Sequence, residues 1–156
     1  MFHVVDDNEP LLEFLTAFIE DAGYEAQGFR SPVDYLEYVK SSDFSPPLAI
    51  FSDIQMPMID GFEMLQKVRK LYPSVRSALI SAYPSQGAED RDQSCAYLEK
   101  PMSMESLEKM IRTFATCIES GPNPKLYECN SSDDKTVFAL DRWSCPHAAR
   151  CKKHET

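Results

Sequence analysis

The sequence contains no uncharged apolar run near the roughly 18 residues that a membrane span needs. It also lacks positive charge near its start, where Asp6, Asp7 and Glu9 stand instead of the basic residues that open a signal peptide. The expectation is a cytoplasmic chain with no membrane association. Clustered basic residues are missing as well. Of 16 Lys and Arg against 25 Asp and Glu, residues 1–121 carry 10 and 20 and residues 122–156 carry 6 and 5, so the net charge of −9 divides into −10 and +1. So acidic a stretch repels phosphate backbones, and direct nucleic-acid binding is not expected. Internal repeats and low-complexity runs are absent. With 156 residues, 43% hydrophobic and 26% charged, the chain fits one ordinary globular domain with a small appendage.

What is present alternates regularly. Phe2 to Val5, Leu48 to Phe51 and Ala78 to Ile80 are apolar runs too short for helices, each leading into polar residues, and they read as buried strands. Tyr24 to Phe29 and Cys95 to Leu98 make five. Between them lie helical stripes: Leu11, Leu15, Phe18 and Ala22, then Val33, Leu36 and Val39 behind a Ser31-Pro32 cap, then Phe62, Leu65, Val68 and Tyr72. A final helix capped by Ser103 carries Leu107, Met110, Ile111, Phe114 and Ile118 on one face and ends at Gly121-Pro122. Strands alternating with helices predict a parallel α/β sheet with right-handed crossovers. Pro84 to Ser94 breaks the pattern: Ala88 is its one apolar residue, so the helix expected there is short and poorly anchored. The domains are read as 1–121 and 122–156.

In open α/β sheets reactive groups gather beyond the carboxyl ends of the strands. Here those positions hold Asp6 and Asp7, Asp53, Ser81 and Lys100. Converging carboxylates would keep their protons at neutral pH unless a cation compensated, and a hard divalent ion, Mg²⁺, suits an all-oxygen ligand set. With one lysine and one hydroxyl nearby, the site suits a phosphoryl group whose charge spreads over three oxygens.

These residues resemble the receiver domain of bacterial two-component response regulators. The matching elements are Val5-Asp6-Asp7-Asn8-Glu9-Pro10, Asp53 followed by Met56-Pro57, Asp60-Gly61, Ser81-Ala82 and Lys100-Pro101, spread over residues 1 to about 120. The resemblance implies a flavodoxin-like doubly wound sheet of strand order 2-1-3-4-5. It implies that Asp53 is the nucleophile that accepts a phosphoryl group from a histidine kinase or phosphotransfer protein. Mg²⁺ would be held by Asp7, Asp53 and the Gln55 carbonyl, with Asp6 acting largely through metal-bound water. Lys100 would pair with the phosphoryl oxygens across a cis bond to Pro101, and Ser81 and Tyr97 would move together as the switch. Gln55 and Tyr83 occupy positions that influence attack of water on the aspartyl phosphate, and Tyr83, bulky and no strong base, implies slow self-dephosphorylation. Such a protein is a phosphoacceptor rather than an enzyme acting on other substrates. A phosphatase reading is weaker, because Asp53-Ile54-Gln55 lacks a second acid two residues on to protonate a leaving group.

Two departures from the family stand out. The stretch from Ser81 to Lys100 is short, and Ser94-Cys95 replaces the usual Gly-Ala, which puts the geometry of the family's common output face in question. Residues 122–156 are too few for the usual DNA-binding output domain, so signalling would pass to a protein partner or through the tail, with a homodimer left open. Leu126 to Cys129 and Thr136 to Leu140 could form a hairpin and Pro146 could start a short helix, on which His147, Cys151 and His154 share a face. Cys129, Cys145 and Cys151 with one of the two histidines could make a tetrahedral Zn²⁺ site. A redox-active thiol cluster, with the receiver as its regulator or docking platform, and ordinary buried or free thiols are the alternatives, since no Cys-x-x-Cys knuckle is present.

Overall fold

The computed structural model describes residues 1–73, 75–82 and 96–119. In chain order these form β1 (Phe2–Val5), α1 (Glu9–Asp21), β2 (Ala26–Phe29), α2 (Pro32–Lys40), β3 (Ile50–Asp53), α3 (Gly61–Leu71), β4 (Ser77–Ser81), β5 (Ala96–Glu99) and α4 (Met104–Glu119). The five strands are parallel in the order β2-β1-β3-β4-β5, as expected. Because side chains alternate across a strand, β1 sends Phe2 and Val4 to one face and His3 and Val5 to the other. The first face packs against Leu12, Leu15 and Ile19 of α1 and Leu107, Met110, Ile111 and Phe114 of α4. The second packs against Tyr35, Leu36 and Val39 of α2 and Met64, Leu65 and Val68 of α3. Both faces of the sheet are covered, so the central strands β1, β3 and β4 are buried throughout, their few polar residues included.

Each helix start has an identifiable cause. Asn8 caps α1, its side chain accepting from Leu11 N at 3.1 Å, and Ser31 caps α2 by accepting from Asp34 N at 3.3 Å. Asp60 caps α3 through Glu63 N at 2.8 Å, and the Ser103 hydroxyl accepts from Ser106 N at 3.1 Å at the head of α4. Gly23, with φ of 93°, takes the left-handed conformation that ends α1 and turns the chain toward β2.

The structure shifts several expected boundaries. The buried stripe of α1 is Leu12, Leu15 and Ile19, one residue on from the stripe read in the sequence; Leu11 and Phe18 sit at its margin and Ala22 is the exposed C-cap. In α2, Tyr35 is fully buried where Val33 was expected, and in α3 the fully buried Met64 adds to Leu65 and Val68. β3 begins at Ile50, inside the apolar run that starts at Leu48, and ends at Asp53, where the sequence places its end; its ladder with β4 continues through Ser52↔Leu79 and Asp53↔Ile80, so Ser52 is a buried polar strand residue beyond the apolar run. β2 begins at Ala26 rather than Tyr24; β5 is described from Ala96, and Cys95 lies outside the described residues. The expected helix at Pro84 to Ser94, the stop at Gly121-Pro122 and the whole of 122–156 lie outside the described residues.

Candidate functional site

The carboxyl ends of β1, β3, β4 and β5 deliver the site. Past Val5, Asp6 N still donates to the Phe29 carbonyl at 3.1 Å, which holds the start of the loop to the sheet. The Asp6 side chain turns inward, and one of its oxygens accepts from Asn8 N at 2.8 Å. Asn8 thus fixes the loop twice, by capping α1 and by giving its backbone amide to Asp6. An Asn just before Glu-Pro is a cap signature that the sequence carried. Asp7 is exposed, and Asp53, the last residue of β3, is 7% exposed. One oxygen from each of Asp6, Asp7 and Asp53 lies within 4.8 Å of the others.

Lys100 closes the cluster. Its backbone N donates to the Ser81 carbonyl at 2.7 Å, tying the loop after β5 to the end of β4. Its Nζ donates to Asp53 Oδ1 at 2.9 Å and reaches Asp6 Oδ2 at 3.3 Å. The bond to Pro101 is cis, as the sequence reading anticipated. Burial pushes the Asp53 carboxyl up, as do the charges of Asp6 and Asp7, against the hydrogen bond and charge of Lys100. Burial would lower the Lys100 ammonium, but its hydrogen bond to Asp53 and the charges of Asp6 and Asp53 outweigh that and raise it. One ammonium therefore faces three carboxylates, and the cluster carries surplus negative charge. A small divalent cation among these oxygens would remove the surplus, and an all-oxygen donor set fits Mg²⁺ rather than a softer metal.

The structure thus brings together Asp6, Asp7, Asp53 and Lys100. Ser81 is buried at the end of β4 beside them, and Gln55 is exposed two residues past Asp53. Tyr97 is half-buried in β5 opposite Leu79, against the cluster on the α2 and α3 face. Tyr83 lies outside the described residues, and so do Cys129, Cys145, His147, Cys151 and His154. Two residues behind the site escaped the sequence reading, Ser52 and, in any structural role, Gly61. Glycine directly after a capping Asp was the signal for the second; nothing marked the first.

A family model described as the response regulator receiver domain matches residues 2–112. Among curated proteins the chain is 31% identical over 117 residues to response regulator Rre1 of Synechocystis, an alignment covering 70% of this chain and 48% of that one. It is 29% identical over 119 residues to hybrid signal transduction histidine kinase L of Dictyostelium discoideum, covering 71% of this chain and 7% of that one. The chain spans under half the length of either relative. Among solved structures, a CheY-like receiver domain protein from Methanospirillum hungatei aligns with a TM-score of 0.66 at 24% identity, covering 77% of this chain and 97% of that one. TrrA of Thermotoga maritima, solved with Mg²⁺ and BeF, aligns with a TM-score of 0.64 at 23% identity, covering 72% and 96%. At these identities the structural likeness is one of fold. The redox-sensing alternative gains no support from these comparisons.

Proposed function

The chain belongs to the response regulator receiver family, and from that premise we propose that Asp53 is its phosphoacceptor, served by Asp6, Asp7, Lys100 and Ser81. The observation that carries this reading is the placement of Lys100 Nζ 2.9 Å from Asp53 Oδ1 inside a cluster of three carboxylates whose oxygens lie within 4.8 Å of one another. Receivers of this family take phosphoryl groups from histidine kinases or phosphotransfer proteins. In this chain an Asp53 oxygen attacks phosphorus, the P–N bond of the donor phosphohistidine breaks, and the imidazole leaves with the bonding pair. Asp7, Asp53 and the Gln55 carbonyl would hold Mg²⁺, with Asp6 acting largely through its water, and the ion would supply positive charge to offset repulsion between the carboxylate and the phosphoryl oxygens. Lys100 leaves Asp6 and Asp53 to pair with a phosphoryl oxygen, and the Ser81 hydroxyl donates to another. Tyr97 follows Ser81, and a protein partner that distinguishes the two conformers reads the signal. The chain catalyses its own phosphorylation and dephosphorylation, the latter slowly because Tyr83 offers no base to water.

Incubation with acetyl phosphate and Mg²⁺ tests this. A mass gain of one phosphoryl group, lost in Asp53→Asn and on chelation, is the expected result. An unmodified wild type, or an equally modified Asp53→Asn, would overturn it. Residues 122–156 are read, from sequence alone, as a separate unit with Zn²⁺ on Cys129, Cys145, Cys151 and either His147 or His154. Elemental analysis decides: stoichiometric zinc that Cys129→Ser loses is the expected result, and a metal-free purified chain rejects it.

A further inference from the structure

Between β3 and α3 the chain doubles back in a tight loop. Met58 takes a left-handed backbone conformation with φ of 74°. Ile59 N donates to the Pro57 carbonyl at 3.0 Å, and Gly61 N returns to the Ile54 carbonyl at 2.9 Å. α3 therefore begins directly against the peptide that carries Asp53. Gly61 is buried and its φ is not positive, so it is space and not backbone freedom that demands glycine. A Cβ at Gly61 would collide with the Asp53 carbonyl oxygen. It would also stand 3.1 Å from Ile54 Cα and 3.2 Å from the Asp53 carbonyl carbon. Those obstacles are backbone atoms of a packed strand end, which cannot swing aside as the tip of a side chain can.

The same carbonyl oxygen also accepts a hydrogen bond. The hydroxyl of Ser52, a fully buried residue, donates to it at 2.8 Å. The ladder accounts for this bond. The last registered β1–β3 pair is Val5↔Ser52, so the Asp53 carbonyl lies past the ladder on that side. On the other side Ile54 N donates to the Ile80 carbonyl at 3.1 Å. A buried carbonyl deprived of a ladder partner needs another donor, and Ser52 provides it.

We propose that Ser52 and Gly61 are positioning residues for phosphoryl transfer, a clamp on the Asp53 carbonyl that fixes the peptide plane from which the Asp53 carboxylate meets Lys100. This rests on the reading of Asp53 as phosphoacceptor. Neither residue touches the phosphoryl donor. Rotating the 53–54 peptide moves the Asp53 carboxylate on one side and the Gln55 carbonyl on the other, so one displacement disturbs both the nucleophile and the cation's ligands. Misplacement near 1 Å at reacting groups costs on the order of 10²-fold in rate.

The test compares Ser52→Ala, Ser52→Thr, Gly61→Ala and, as a control in the core of α3, Val68→Ala. Each is measured by calorimetric titration with MgCl₂, by the rate of acetyl phosphate labelling at saturating Mg²⁺ and donor, and by urea unfolding. Ser52→Ala and Gly61→Ala are expected to weaken Mg²⁺ binding and to slow labelling by about tenfold or more. Val68→Ala is expected to lose stability while keeping both, and Ser52→Thr, which retains the donor, to recover what Ser52→Ala loses. The clamp is overturned if Ser52→Ala binds Mg²⁺ and is labelled as wild type, or if Val68→Ala loses as much of both. Should Gly61→Ala not fold, the Ser52 pair decides alone. Failure of wild type to be labelled would sink the phosphoacceptor reading, and the Mg²⁺ titrations would still judge the clamp.

Discussion

The two faces of β1 and its end bury polar groups in opposite ways. At the carboxyl end, Asp6 and Asp53 are nearly inaccessible yet carry charge, balanced in part by Lys100. Three residues before Asp6, His3 is fully buried among Phe29, Tyr35, Tyr38 and Phe44. Its Nδ1 is 3.0 Å from the Tyr35 hydroxyl, and its Nε2 has no hydrogen-bond partner among the described residues. Burial, and after it the charge of the terminal ammonium, pushes its pKa down to about 4. The site end tolerates charge because opposite charge is at hand and solvent reaches Asp7. The aromatic pocket tolerates a polar ring only as long as it stays neutral. Charge thus collects just past the carboxyl end of β1, while within the strand a polar ring is buried by aromatic packing.

Breaking the charge balance should have the largest effect. Lys100→Ala leaves Asp6 and Asp53 buried without their counter-charge, and in chelator the variant should lose about 3 kcal/mol of unfolding free energy in urea. Mg²⁺ should then raise its melting temperature more than it raises that of wild type. An equal rise in both would mean that Lys100 is not the balancing charge.

The neutral pocket is tested by acid. The folded pKa of His3, about 4, lies below its ordinary value of 6.5. The stability contributed by the neutral ring is therefore complete above pH 6.5 and is lost as pH falls toward 4. Relative to His3→Leu, wild type should lose about 2 to 3 kcal/mol between pH 7 and 4.5, read from urea unfolding at each pH. Parallel pH curves for the two proteins would refute a neutral buried ring.

A smaller effect is expected from Tyr35→Phe, which strips His3 of its hydrogen-bond partner and should cost about 1 to 2 kcal/mol at neutral pH. The smallest belongs to the exposed pair of Arg30 and Glu9, 3.0 Å apart. Arg30→Ala should shift stability by less than about 0.5 kcal/mol, which a thermal melt in moderate salt would bring close to zero. A cost there matching that of Lys100→Ala would erase the distinction between buried and exposed pairs.

Much of the site was legible beforehand because each of its charged residues sits where an apolar run stops. Asp6, Asp7, Asp53 and Lys100 could be placed at strand ends without knowing any distance. Ser52 could not. A serine just past an apolar run looks like a surface residue in a sequence, and although His3 lies inside a run read as a buried strand, what surrounds its ring depends on which helices cover each face of the sheet. The α1 stripe slipped by one residue for a related reason: Leu11, Leu12, Leu15, Phe18 and Ile19 are all apolar, so periodicity alone admits two neighbouring faces.

By itself the amino-acid order determined the alternation of strands and helices and the kinds of groups presented at the strand ends, since both follow from local patterning along the chain. Only the tertiary structure decided which of those groups share a pocket, how close α3 comes to the peptide behind Asp53, and whether a polar ring such as His3 is wetted or dry. Those are through-space facts, set by the packing of segments far apart in sequence, and no local pattern encodes a distance between them.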